Sequence, residues 1–237
     1  MNSSMTFKKG LKDGIPIALG YLSVSFAFGV TAVEMGIPAL IALLTSMTNL
    51  TSAGQLAGIT VIAVFGTLLE VVLTQVVINA RYFLMSLSLS QRLDGKFRFI
   101  DRVLCAFGVT DEIFAVAVHN KEPITKRYSW GLICLPYFGW AIGTISGALI
   151  GNVLPEILVS ALSIALFAMF IAIIVPGAME NIKVLPVIII SATVSCIIYF
   201  VPLFDFISQG ISYIICALIA SIIGALLFPI KDGDGNE

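Results

Sequence analysis

Long apolar segments dominate this sequence and limit what it can fold into. The stretch Gly14–Met35, for example, runs for 22 residues, and about 20 mostly apolar residues suffice for one helix to cross a bilayer. Charged residues make up only 11% of the 237 residues, against about 25% in a soluble domain. The apolar runs are uniform and lack the alternation of a transmembrane barrel, so the sequence predicts an all-α integral membrane protein.

Several segments are long enough for full membrane crossings. We predict six spans, at Gly14–Met35, Thr67–Gln91, Tyr128–Leu149, Val153–Val175, Ile182–Val201 and Ile211–Phe228. They form one polytopic helical bundle, a single transmembrane domain over residues 1–237 with cytoplasmic ends at 1–13 and 229–237. The first span is too long for a signal-peptide core and is expected to be retained.

Two further apolar stretches are interrupted by polar residues. Pro38–Gly66 contains "TNLTSAGQ" at residues 48–55, and Val103–Val118 carries "TDE" near its centre. We predict that both are broken, re-entrant segments that dip into the membrane and return. The alternative is that these polar residues form ordinary loops between short tilted helices.

The basic residues favour the re-entrant topology. Lys and Arg prefer the cytoplasmic side of short loops. Two clusters flank the second interrupted stretch, namely Arg92, Lys96, Arg98 and Arg102 before it, and Lys121, Lys126 and Arg127 after it. If both stretches return to their own side and the N-terminus is cytoplasmic, every Lys and Arg except Arg81 falls in or beside a cytoplasmic loop.

Glycines recur every four residues in "GWAIGTISGALIG", at Gly139, Gly143, Gly147 and Gly151. Small residues at this spacing let another helix backbone approach closely. The pattern predicts a helix-packing face, whose partner belongs either to this chain or to another.

Arg81 is the basic residue that lies within a predicted span. Glu70, Thr74 and Arg81 fall on nearly one helical face, with Gln75 and Asn79 nearby. Intramembrane charges usually face the protein interior or water and serve a function. Snorkelling of Arg81 toward the interface is the alternative.

Asp111 and Glu112 follow Thr110, a good helix N-cap, and acids in a first helical turn are favoured by the helix dipole. A surface cap would explain all three residues. If the segment is re-entrant, however, both acids lie at mid-depth and need a cation. Arg81, a substrate ammonium and a proton are the candidates.

The stretch "SAGQ" at Ser52–Gln55 resembles the start of the second half of a broken helix. Free backbone N–H groups at such a start suit a substrate carboxylate, and broken helices pointing at a midplane substrate recur in transporters. An ordinary N-cap is the alternative.

Other function classes have little support. The net charge of −1 gives no indication of nucleic-acid binding, and the single His and scattered acids lack metal-ligand spacing. The four cysteines form no CxxC pair, and Walker, GxSxG, HExxH and dinucleotide motifs are absent from the sequence. We therefore expect neither an enzyme nor a cofactor or metal.

Five short segments carry a family resemblance. They are "SAGQ" at 52–55, "INARYFLMSLSLSQRL" at 78–93, "GVTDEIFAVA" at 108–117, "GWAIGTISG" at 139–147 and "AMFIA" at 168–172. In this order and spacing they resemble the AzlC family, the large subunit of branched-chain amino acid exporters. The likeness runs from about Gly10 to the C-terminus.

The resemblance implies proton-coupled export of Leu, Ile, Val and similar amino acids across a bacterial plasma membrane, with a small partner membrane subunit of the AzlD type. The matching residues are Gln55, Asn79, Arg81, Thr110, Asp111 and Glu112. Two positions depart from many members, where Leu56 replaces Phe and Tyr82 replaces His.

A branched-chain amino acid is a zwitterion with an apolar side chain. Arg81 with the 52–55 turn can hold its carboxylate, and Asp111 with Glu112 its ammonium. Our leading hypothesis is a secondary transporter that exchanges apolar amino acids for protons, in which one of the two acids titrates. A channel-like pore and a purely supporting subunit are the alternatives.

Overall fold

The computed structural model describes residues 5–120, 122–155, 181–204 and 206–228, together with positions 157, 158, 160, 161, 164, 171, 175, 178 and 179. Most of the predicted span Val153–Val175, the "AMFIA" segment apart from Ile171, and the tail 229–237 lie outside the described residues. The α-helices with assigned bounds are α1 (Phe7–Glu34), α2 (Ala39–Thr48), α3 (Ser52–Ala63), α4 (Leu68–Ser90), α5 (Phe99–Phe107), α6 (Asp111–His119), α7 (Lys126–Ile150), α8 (Val184–Phe200) and α9 (Gln209–Leu227).

Within the described residues the chain is helical apart from short connections and one isolated bridge between Leu93 and Ile124. Four helices are long and apolar enough to cross a membrane, at Phe7–Glu34, Leu68–Ser90, Lys126–Ile150 and Gly210–Leu227. The helical membrane fold is therefore confirmed, whereas the count of six full spans remains a prediction.

The helices α1 and α7 pack along their whole lengths and run parallel. The glycines at 139, 143 and 147 lie against Ala18, Leu22 and Phe26, so that each contact repeats with the same offset along both helices. A Cβ at Gly139 would meet the carbonyl oxygen of Ala18 at 2.8 Å. The partner of the predicted glycine face is thus the first helix of this chain.

One end of the bundle collects most basic side chains, and we call it the basic end. It is the end where α1 and α7 begin and where α4 finishes, since Ile124, just before α7, shares backbone hydrogen bonds with Arg92 and Asp94, just after α4. The described Lys and Arg residues other than Arg81 lie at or near it: Lys8, Lys9, Lys12, Arg92, Lys96, Arg98, Arg102, Lys126, Arg127 and Lys183. This distribution agrees with the predicted cytoplasmic N-terminus.

The first interrupted stretch is a pair of helices, α2 and α3, that enters from the opposite, far end. Tyr137, half-way along α7, donates a hydrogen bond to the carbonyl of Met47 at 3.1 Å, which places the end of α2 at mid-height. The helix α3 then returns along α4, whose Gln75 donates to the carbonyl of Gly54 at 2.8 Å. We call α2–α3 the far pair.

The second interrupted stretch, α5 and α6, enters from the basic end and returns to it. Asp101, at the start of α5, lies 2.5 Å from the ammonium of Lys126. Asn120, just after α6, donates to the hydroxyl of Tyr128 at 2.9 Å. The break between these helices contacts Tyr21, half-way along α1. We call α5–α6 the basic-end pair, and its break meets that of the far pair near the middle of the bundle.

Candidate functional site

Arg81 and Asp111 form an ion pair where α4 passes the start of α6. The guanidinium Nη2 lies 3.1 Å from the carboxylate Oδ2, and the two side chains are 36% and 23% exposed. Asp111 is brought there because α6 begins directly after the break, with Thr110 as its N-cap. The structure thus pairs Asp111 with Arg81, one of the three cations that sequence reasoning left open.

Tyr82 bridges the two members of this pair. Its hydroxyl accepts a hydrogen bond from Arg81 Nη2 at 2.8 Å and donates one to Asp111 Oδ2 at 3.4 Å. The guanidinium also lies over the Tyr82 ring, 4.7 Å from its centroid, a cation–π arrangement. The residue that departs from the pattern of many family members is therefore part of the charged cluster.

Glu112 has a different partner from its neighbour. The hydroxyl of Tyr21 lies 2.5 Å from Glu112 Oε2 and 2.5 Å from the side-chain oxygen of Thr110. Thr110 in turn accepts a hydrogen bond from the backbone N–H of Ile113 at 3.3 Å and so caps α6. Tyr21 is buried, with its ring edge-to-face against Trp140 at 4.9 Å.

These groups line one cavity of about 340 Å³. Its polar wall holds Tyr21, Tyr82, Thr110, Asp111 and Glu112, and Ser52 contributes the start of α3. The remaining wall is apolar and comes from α1, from the break of the far pair and from α7, through Ile17, Val24, Leu50 and Trp140. An apolar pocket with a few convergent polar groups is typical of a small-molecule site.

The amides predicted as site residues, Gln55 on α3 and Asn79 on α4, hydrogen-bond to residues other than Arg81 and Asp111. Gln55 is fully buried and donates to Ser46 at 2.7 Å. Asn79 donates to Gln75 Oε1 at 2.9 Å, and Asn49 donates to the same oxygen at 2.8 Å. Gln55 and Asn79 thus belong to two neutral sets of hydrogen bonds, which hold the two sides of the far pair's break.

The N-terminus of α3 fits the prediction of free backbone donors. Thr51 precedes the helix but makes no side-chain capping hydrogen bond, and its hydroxyl donates instead to Asn49 at 2.7 Å. Ser52, the first residue of α3, lines the cavity. First-turn N–H groups without a cap favour negative charge.

Glu70 lies apart from this cluster, and its role in the predicted set stays a prediction. It accepts hydrogen bonds from the backbone and side chain of Thr67 at the start of α4, and from the hydroxyl of Ser208, the N-cap of α9. Eleven residues of helix separate it from Arg81, about 16 Å along the axis. Thr74 likewise bonds the carbonyl of Gly210, at 3.3 Å. Of the three polar residues on this face of α4, Glu70 and Thr74 therefore anchor α9, whereas Arg81 pairs with Asp111.

A family model described as AzlC protein matches residues 16–154, more than half of the chain. The chain belongs to the AzlC family. Membership confirms the resemblance and implies a transport-related role for this membrane protein.

Relatives of this AzlC protein are membrane proteins too. An uncharacterized membrane protein of Archaeoglobus fulgidus is 34% identical over 179 residues, covering 75% of this chain and 78% of its own. The inner membrane protein YgaZ of Escherichia coli is 31% identical over 153 residues, which cover 63% of this chain and 62% of YgaZ. A membrane protein of Helicobacter pylori is 30% identical over 154 residues, covering 62% and 66%. No solved structure matches the chain significantly.

The part that matches the AzlC model holds the whole cluster, from Tyr21 to Glu112. Sequence reasoning found Arg81, Asp111, Glu112 and Thr110, but it missed Tyr21. A signal was present, because Tyr21 is a polar aromatic residue inside a predicted span, where a buried hydroxyl needs a partner.

Proposed function

We propose that this protein is a secondary active transporter that exports branched-chain and similar apolar amino acids in exchange for protons. The observation that carries the proposal is the cavity between the two helix breaks, with the carboxylates of Asp111 and Glu112 on one wall and apolar side chains on the other. Family membership supports a transport role, and the resemblance to branched-chain amino acid exporters supports this substrate class.

The cavity has the complementary chemistry that an apolar zwitterion requires. Its ammonium fits beside Asp111 and Glu112, whose carboxylates line the pocket. Its carboxylate fits the uncapped start of α3 at Ser52, with Arg81 as the nearest fixed cation. Leu50 and Trp140 offer apolar surface for the side chain.

The remaining features of the proposal concern the assembly. The basic end supports a multi-pass protein of a bacterial plasma membrane with a cytoplasmic N-terminus. Large exposed side chains on α4, such as Leu68 and Phe83 at 78% and 70%, suit contact with lipid or with another membrane protein. The resemblance supports a small AzlD-type subunit as that partner.

The test is leucine transport by the purified protein, with its small partner, in lipid vesicles under a pH gradient. We expect gradient-driven leucine movement in wild type, and its loss in Arg81→Ala and Asp111→Asn. Arg127→Ala is the matched control, because Arg127 is exposed at the basic end. Normal transport by the Arg81 and Asp111 variants would show that the site assignment is wrong.

A channel-like pore is the second candidate, favoured by the meeting of two helix breaks from opposite ends. Carriers and pores differ in kinetics. Saturable uptake and counterflow of labelled leucine indicate a carrier, whereas flux that rises linearly with concentration and lacks counterflow indicates a pore.

A further inference from the structure

We propose that Glu112, rather than Asp111, takes up and releases the coupling proton, and that Tyr21 is the positioning residue that holds its side chain in both protonation states. The inference rests on the proposed exchange of amino acids for protons. It assigns different tasks to two adjacent carboxylates.

The first step is the difference in charge compensation. Asp111 has a cationic partner, since Arg81 lies 3.1 Å away. In the part of the chain that the structure describes, the ion pairs are Arg81–Asp111 and Lys126–Asp101, so Glu112 takes part in neither. Arg81 thus offsets the charge of Asp111, and among the described residues no cation is paired with the carboxylate of Glu112.

Within the part of the chain that the structure describes, Glu112 is paired with no cation of its own. The titratable groups beside it are Tyr21 on α1, Tyr82 on α4 and Asp111 on α6, and Arg81 joins this cluster through Tyr82 and Asp111. A carboxylate in a bilayer interior carries a cost of several kcal/mol unless a positive group neutralises it. A proton or a substrate ammonium can fill that role.

A proton and a substrate ammonium cannot both neutralise Glu112 at the same time. This competition provides a physical basis for exchange. When the amino acid leaves toward the outside, a proton from that side binds the Glu112 carboxylate. When the cavity faces the cytoplasm, this proton passes to water, and the restored negative charge receives the ammonium of the next amino acid. Each cycle moves one proton inward and one amino acid outward, with no covalent change in the protein.

Tyr21 can form a hydrogen bond with Glu112 in either protonation state of the carboxyl group, and no heavy atom needs to move. Toward ionised Glu112 the phenol donates its hydrogen to Oε2 across 2.5 Å. When Glu112 is protonated, its own O–H donates to the phenol oxygen, and the phenol hydrogen turns to the side-chain oxygen of Thr110, also 2.5 Å away. The side-chain oxygen of Thr110 has two lone pairs. One accepts the N–H of Ile113, and the other can accept the phenol hydrogen.

The experiment separates drive by the pH gradient from substrate exchange. In vesicles, Glu112→Gln should lose at least about tenfold of its gradient-driven leucine flux, a difference of one decade in rate. Leucine–leucine counterflow in this variant should weaken, because the ammonium loses a counter-charge, and what remains should no longer depend on pH, because no proton competes at position 112. Asp111→Asn should lose both activities. Glu122→Gln, the same change at an exposed loop position, should keep both.

Tyr21→Phe tests the positioning role. It keeps the ring against Trp140 but removes the hydroxyl. We expect the pH profile of gradient-driven flux to shift, which loss of packing alone would not produce. An unchanged pH profile in Tyr21→Phe would refute the role of the phenol, and full gradient-driven flux in Glu112→Gln would refute the role of the carboxylate.

A second readout distinguishes this inference from failure of the proposed function. If wild type moves no leucine, the proposed function fails, but infrared difference spectra between acid and alkaline medium still report carboxyl protonation in the purified protein. The band of a protonated carboxyl should disappear in Glu112→Gln and persist in Asp111→Asn. Its loss in Asp111→Asn with retention in Glu112→Gln would overturn the assignment.

Discussion

The two broken helix pairs have the same architecture and opposite chemistry. Each enters from one end, turns near the middle of the bundle and starts its second helix after a threonine, at Thr51 in the far pair and Thr110 in the basic-end pair. The far pair is held by amides and hydroxyls, through Gln75 and Asn49 among others. The basic-end pair presents two carboxylates to the cavity.

This difference indicates a division of labour. Neutral amides donate and accept hydrogen bonds whatever the pH, so the far pair can keep its shape throughout a transport cycle. Carboxylates change charge with protons and ligands, so the basic-end pair can respond. Damage to the far pair should therefore lower stability, and damage to the basic-end pair should alter transport and its pH dependence.

The largest expected effect comes from Arg81→Ala, which leaves Asp111 without its cation. Truncating one partner of a hydrogen-bonded charge pair costs about 2–5 kcal/mol, so leucine affinity should fall at least roughly thirtyfold. Ligand-induced thermal shift of the purified complex measures this loss. If leucine still protects Arg81→Ala as well as it protects Arg127→Ala, the basic-end pair is not the charged side of the site.

The second effect should appear in stability instead of transport. Gln75→Ala removes the hub that joins Asn49, Asn79 and the carbonyl of Gly54. Loss of these hydrogen bonds should lower the free energy of unfolding by about 2–3 kcal/mol. Thermal unfolding of the purified protein measures it, with exposed Gln91→Ala as the control. A changed pH profile of transport in Gln75→Ala would contradict the claim that only the basic-end pair responds to pH.

These two variants mark where sequence reasoning succeeded and where it stopped. Polar residues inside apolar stretches predicted both breaks, because buried backbone and charge need partners at those points. Arg81 was named as one candidate partner of Asp111 and Glu112 for the same reason. Tyr21 was missed because its partner Glu112 lies 91 positions away, and only the packing of α1 against α6 brings them together.

Glu70 shows a limit of the same reasoning. Helical periodicity placed it on the face of Arg81, and this spacing is correct. Periodicity does not reveal depth, however. The Glu70 carboxylate lies at the far end, where it accepts a hydrogen bond from Ser208, the N-cap of α9. The six-span count cannot be judged from periodicity either, since α8 has 17 residues, close to the minimum for a crossing.

A smaller effect is expected for Tyr82→Phe. The change removes a hydroxyl that links Arg81 to Asp111 but keeps the ring under the guanidinium. A hydrogen bond to a charged group contributes about 1.5–3 kcal/mol, and partial exposure of the pair reduces this, so leucine affinity should fall about threefold to tenfold. Tyr82→His, which restores the residue of many relatives, should retain more affinity. If Tyr82→Phe and Tyr82→His bind leucine equally well, a hydrogen bond from position 82 does not contribute to leucine affinity.

The smallest effect concerns the start of α5, where the basic-end pair begins. The hydrogen bond from Lys126 holds the pKa of Asp101 below its ordinary value. A lowered pKa in the folded state adds stability above the unfolded pKa of about 4, and this stability is lost as the pH falls through the folded value. Lys126→Gln should therefore lower the melting temperature at neutral pH, and the difference from wild type should shrink in acid. A difference that does not change with pH would mean that Lys126 acts through packing.

A double-mutant cycle on leucine binding tests the central claim most directly. If Arg81 and Asp111 form one charged unit at the site, Arg81→Ala, Asp111→Ala and the double variant should all bind leucine with similarly weakened affinity, because breaking either half destroys the unit. Losses that simply add in the double variant would show that the two side chains act independently, and would contradict a binding site built on their pairing.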